Sequence, residues 1–159
     1  MGNSTLIYKE KLEKNLNESF THLKRINEAF NELEKIYKFP IDIKSFSKLL
    51  NNIQEFAFTD QIIYRFSKLQ DVMGAKLFKA LLLYQGENID KPFLDILNIL
   101  EKLHILEVEE WFELREIRNN IAHDYEESEE FGKIILNEIY QTKDDLEKIL
   151  KKVNFLIKP

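Results

Sequence analysis

Apolar side chains recur every third or fourth residue along most of this chain, a period that admits little but amphipathic α-helix. Leu12, Leu16, Phe20, Leu23, Ile26, Phe30, Leu33 and Ile36 form one such stripe, with Lys11, Glu13, Lys14 and Glu34 falling between its members. The pattern predicts a long first helix over about 6–37, ended by Pro40. Ile62, Phe66, Leu69, Val72, Met73, Leu77, Leu81 and Tyr84 predict a second over about 55–84, closed by the turn Gln85-Gly86-Glu87-Asn88.

Between them, Ile43, Phe46, Leu49, Leu50 and Ile53 fit a short helix covering one end of a bundle, although Ile41 and Ile43 also suit an extended lead-in. Asp90 and Pro92 mark the start of a shorter helix carrying Phe93, Leu94, Leu97, Leu100 and Leu103. A further helix opens near Glu107 and takes Trp111, Leu114 and Ile117 toward residues 118–125, ending or distorting around 124–127. The last, about 128–155, presents Phe131, Ile134, Ile135, Ile139, Leu146, Ile149, Leu150 and Val153. With four Gly, three Pro and no sustained alternation, the expectation is an all-α, up-and-down bundle of four main helices plus a short extra one. The 159 residues make one domain.

Composition narrows the function classes. No cysteine means no disulfide and no thiolate metal site, which suits a cytoplasmic setting. No signal-peptide pattern opens the chain and no apolar run approaches membrane-spanning length, so no membrane partner is expected. A net charge of −5 argues against a broad basic face coating nucleic acid, but leaves room for a narrow site with a few cations at its rim.

The chemistry-bearing stretch is Arg118-Asn119-Asn120-Ile121-Ala122-His123-Asp124-Tyr125: an Arg, four spacers, a His, one spacer and a Tyr. An imidazole moves protons near neutral pH and a guanidinium holds phosphate oxygens through two parallel bonds. RNA carries its own nucleophile, the 2′-hydroxyl, so Arg118 and His123 suffice in principle for cleavage without metal or other cofactor. At about 100° per residue, Arg118 and Tyr125 share a face with Trp111 and Ala122, while Asn119 and His123 share the adjacent face with Arg115. On a regular helix Arg118 and His123 flank a groove, or meet a second copy across a two-fold axis. Asn119 is a hydrogen-bonding support for His123 or for substrate. The bland alternative is a surface Arg118 paired with Glu113 or Glu116.

Two further features bear on the site. Asp60, Arg65, Lys68 and Asp71 interrupt an apolar helix. Either they form a solvated face with local ion pairs, or Arg65 or Lys68 adds positive charge near the motif helix. The acidic run Asp124, Glu126, Glu127, Glu129, Glu130 either suits a helix start, raises the proton affinity of His123, or meets a basic partner. His22 and His104 are expected to be ordinary solvated or half-buried side chains.

The segment Arg118–Tyr125 resembles the motif of HEPN-domain ribonucleases, and with its tyrosine two residues after the histidine it resembles the HepT-type toxins. The stretch Tyr64–Asp71 is similar, less specifically, to the second helix of HEPN-like proteins found beside nucleotidyltransferases. The resemblance implies a helical bundle that dimerises through the motif region and cuts RNA, with Arg118 and His123 catalytic. It implies pairing with a minimal nucleotidyltransferase antitoxin that uses ATP and Mg²⁺ to attach AMP to Tyr125. Against a compact member of that family, the first helix is long and residues 38–54 look like an insertion. The alternative implied by the same resemblance is a non-catalytic module that binds a nucleotidyltransferase or its substrate.

Overall fold

A computed structural model describes residues 2–121 and 128–157. His123 and Tyr125 therefore lie outside the described residues. The elements are α1 (Gly2–Glu34), α2 (Ile43–Leu50), α3 (Ile53–Val72), a π-helical segment (Met73–Leu77), α4 (Phe78–Tyr84), α5 (Phe93–Lys102), α6 (Val108–Asn120) and α7 (Glu129–Ile157). No strand occurs among the described residues. Backbone runs without a break from α3 through the π segment into α4, as the single apolar stripe over 55–84 predicts.

Cross-helix pairs fix the order. Tyr37 meets Glu55 and His22 meets Arg65, so α1 and α3 run antiparallel. Phe30 packs on Tyr140, and Leu23 and Lys24 line one groove with Glu147, so α7 is antiparallel to α1. Glu116 faces Glu138 and Glu110 faces Asp145, so α6 is antiparallel to α7. The long elements α1, α3–α4, α6 and α7 thus alternate up and down. Two shorter helices, α2 and α5, accompany them where the apolar patterns over 43–53 and 93–103 predict helix. α2 packs on α3 and α7, and α5 on α4 and α6.

The shared core includes Leu12, Leu16, Phe30, Phe46, Phe66, Met73, Phe78, Leu97, Trp111, Ile139 and Leu150, drawn from all of these elements. Burying such side chains stabilises the fold by roughly 1.5–3 kcal/mol each before chain entropy is set against it. Several expected core positions lie outside it. Ile36 is 56% exposed because α1 ends at Glu34 and the next turn rotates it outward. Ile53, at 86%, is the first residue of α3 and precedes its buried face. Ile43, Leu94 and Ile134 are likewise exposed. The inward register of α2 is set by Ile41, Phe46 and Leu49 instead.

Local chemistry sets the boundaries. The Asp42 carboxylate accepts the Ser45 N–H at 2.7 Å and caps α2, while the Asn52 side chain accepts from Gln54 and Glu55 and caps α3. α4 and α5 both end in paired 6→1 and 5→2 backbone bonds: Glu87 to Leu82 with Gly86 to Leu83, and Ile105 to Leu100 with His104 to Glu101. The residue between must be left-handed. Gly86 meets this at φ 83° without strain; His104 is forced to φ 60°. His104 is exposed, as expected; His22, expected at least half-solvated, is buried. Asn137 of α7 ties down the approach to α2, its Oδ1 accepting from Ile41 N–H at 2.7 Å and its Nδ2 donating to Ile41 C=O at 2.9 Å.

Candidate functional site

Arg118 occupies the last turn of α6, one residue ahead of Asn119 and three ahead of the C-cap Ile121. Its face is set by Trp111, seven residues earlier, which is 1% exposed and packs edge-on to Phe78 at 4.9 Å between ring centroids. With Trp111 anchored, Arg115 and Arg118 are carried toward α3. There both meet Asp71. Arg118 donates from Nε to Oδ1 and from Nη2 to Oδ2, each at 3.3 Å, and Arg115 donates from Nη1 to Oδ1 at 3.2 Å. This is a two-pronged fork on one carboxylate with a second guanidinium sharing an oxygen. Burial alone pulls the Asp71 carboxyl upward; the hydrogen bonds and charges of Arg118 and Arg115 outweigh that and hold it below the ordinary carboxylate value.

Asp71 is one of the polar residues that interrupt its helix, and helical spacing relates it only to neighbours one turn away. Its partner on α6 is 47 positions along the chain. Neither Glu113 nor Glu116 is the acid on Arg118.

Arg65 and Lys68 are placed differently. Arg65 turns toward α1, with Nη1 3.1 Å from Nδ1 of His22. It lies six residues before Asp71, about 240° round the helix, hence on another face. Arg65 and Lys68 also flank the Tyr64 ring, at 5.9 and 5.7 Å from its centroid. Burial first and the Arg65 charge second lower the His22 pKa below its ordinary value, against the upward pull of Glu18. This part-buried Arg–His contact ties α1 to α3. Asn119 is exposed on α6.

Beside the Asp71 cluster lies a cavity of about 340 Å³ between the π segment, the start of α5 and α6. Phe93, Trp111, Gly74 and Ala75 give it an apolar wall; Gln70, Asp71, Lys79 and Arg115 supply its polar groups. The expansion to π geometry at Met73–Leu77 sits at its edge, a distortion that in helices concentrates at functional sites. The sequence signal for it was Gly74, an isolated glycine inside an apolar helix.

Comparisons with protein-family models, with curated proteins and with solved structures found no match to this chain. Among the described residues, no helix is long and apolar enough to cross a membrane.

Proposed function

We propose that this chain is a metal-independent endoribonuclease of the HEPN, HepT-like kind. The observation that carries the reading is the convergence of Arg118 and Arg115 on Asp71, in the final turns of α6 and just ahead of His123 in the chain. Two guanidiniums fixed side by side form a phosphate-binding pair, and Asp71 holds the Arg118 fork in place until substrate arrives.

In the proposed reaction the ribose 2′-oxygen attacks the adjacent phosphorus. His123 takes the 2′-hydroxyl proton, the bond from phosphorus to the 5′-oxygen breaks, and the departing oxygen takes a proton from water, to which His123 then returns its own. The products are a 2′,3′-cyclic phosphate and a 5′-hydroxyl. Arg118, with Arg115 beside it, stabilises the charge on the non-bridging oxygens. The chain acts in the cytoplasm, as a homodimer joined through the motif helix.

Incubation of the purified chain with labelled RNA in EDTA tests this. Cleavage to a cyclic phosphate, lost in His123→Ala and in Arg118→Ala, is the expected result. Cleavage retained by His123→Ala overturns it.

As a HepT-like toxin, the chain is neutralised by a nucleotidyltransferase antitoxin. The Tyr125 hydroxyl gives its proton to solvent, its oxygen bonds to the α-phosphorus of ATP on that partner, and the bond to pyrophosphate breaks; Mg²⁺ on the partner would neutralise the phosphate charge. A mass gain of one AMP on Tyr125, absent in Tyr125→Phe, is the expected signature.

A second reading is a non-catalytic module that docks a nucleotidyltransferase. The net charge of −5 and the acidic run from Asp124 to Glu130 favour it, because both repel an RNA backbone and attract a basic surface. A stable complex without cleavage above background would select it.

A further inference from the structure

Tyr64, Lys68, Asp71 and Ala75 fall within about 40° of one another around the continuous rod of α3 and the π segment, and none of them is buried, so they share one outward stripe. On a regular helix Lys79, eight residues past Asp71, would stand about 80° away. The π segment Met73–Leu77 takes up roughly one extra residue of rotation and brings Lys79 back into line. Asp71, Ala75, Lys79 and, from α6, Arg115 accordingly line one hollow.

Arg118 and Arg115 reach the stripe at Asp71. The order along it is Tyr64, Lys68, the two guanidiniums and Lys79, spread over about 20 Å. Four cations against one carboxylate leave this face at +3, on a chain whose net charge is −5. Asp71 draws on Nε and Nη2 of Arg118 and on Nη1 of Arg115, a part of the five N–H donors that each guanidinium carries. Tyr64 is 55% exposed, with the Lys68 ammonium 5.7 Å from its ring centroid. Asp60, one turn earlier on α3, ends the cationic run.

A single file of cations with an aromatic ring at one end selects its ligand. An acidic peptide would use the charges and leave the ring unused. A duplex keeps its bases stacked inside and leaves the ring unused as well. A single strand offers both an unstacked base for the ring and evenly spaced phosphates for the cations. We infer that a single strand of RNA lies along this stripe, with one base on Tyr64 and successive phosphates on Lys68, on the Arg118–Arg115 pair and on Lys79. The assignment deepens the ribonuclease reading by giving its strand a path, and rests on that reading for the choice of RNA over DNA.

The full chain is titrated against fluorescein-labelled, uncleavable 2′-O-methyl oligouridines of increasing length in EDTA, and binding is read as anisotropy. Affinity should rise with length up to roughly four nucleotides and then level off. Its salt dependence should have a log–log slope of about −2, the value for three phosphates on a single strand. Lys68→Gln and Lys79→Gln should each weaken binding several-fold and flatten that slope by about 0.7. Tyr64→Leu should weaken binding about tenfold and leave the slope unchanged. Lys24→Gln, in the groove between α1 and α7 on the other side of the bundle, should change nothing. None of these four side chains is buried, so every variant should keep the parental melting temperature.

No binding, equal binding of a base-paired duplex or of polyglutamate, or parental affinity in all three stripe variants would overturn the track. Weaker binding in the two lysine variants with Tyr64→Leu like the parent would assign the stripe to a bare polyanion and overturn the single strand. A loss as large in Lys24→Gln would reduce the effect to overall charge and overturn it too. Cleavage is scored separately: binding along the stripe without cleavage removes the nuclease and leaves a single-strand track, whereas cleavage that Lys79→Gln and Tyr64→Leu leave at the parental rate removes the track and leaves the nuclease.

Discussion

Asp71 on α3 grips Arg118 on α6 through both carboxylate oxygens, at 3.3 Å each, and the same carboxylate holds Arg115 at 3.2 Å. An ion pair 47 positions apart in the chain thereby sets the direction of the guanidinium that stands five residues before His123. All three side chains are partly solvated, so the cluster contributes little to stability and much to orientation.

Asp71→Asn separates those two roles. The folded protein should lose no more than about 1 kcal/mol, while RNA cleavage should fall on the order of a hundredfold through misplacement of Arg118. The Asp71 pKa is depressed in the fold, so its contribution is present above the unfolded carboxylate range and fades only as acid carries the pH through the lower folded value. Urea denaturation at neutral pH beside single-turnover cleavage checks the split. Full activity in the variant would remove Asp71 as a positioning residue.

His22 makes stability pH-dependent. Its pKa is lowered in the fold by burial and by Arg65, so the unfolded chain takes up its proton first as the pH drops below 6.5. The contribution is complete above the unfolded value and is lost as pH falls through the folded one. Urea midpoints should therefore decline from neutrality through the histidine range, and less steeply in His22→Gln. Identical slopes in the two proteins would contradict this.

Asn137→Ala should cost about 1–3 kcal/mol, because it strips partners from both the N–H and the C=O of Ile41. Thermal unfolding measures the loss. Accelerated proteolysis within 35–42, the link that this side chain fastens to α7, is the accompanying sign; unchanged cutting there would count against the tether.

His104→Gly should raise stability by about 1 kcal/mol. It relieves a left-handed residue with φ 60° at the end of α5, in the role that Gly86 fills at the end of α4. A lower melting temperature in the variant would mean that the imidazole contributes contacts outweighing that strain.

The sequence by itself determined the helices, because each rests on local rules: apolar residues repeating at helical period, caps such as Asp42 and Asn52, and breaks at Pro40 and Gly86. It also exposed Arg118 and its surroundings as the stretch with chemical content. Where single positions went astray, as at Ile36, Ile53 and Ile134, a shift of a few residues in a boundary or a small rotation of the stripe accounts for it. Tertiary structure alone decided that Arg118 faces Asp71 rather than Glu113 or Glu116, that Arg65 turns to His22, and that Gln70, Gly74, Phe93 and Trp111 enclose one cavity. Spacing rules see neighbours one turn apart along a helix. Which side chain faces which across two helices depends on their register and rotation, and those are fixed by the packing of the whole core.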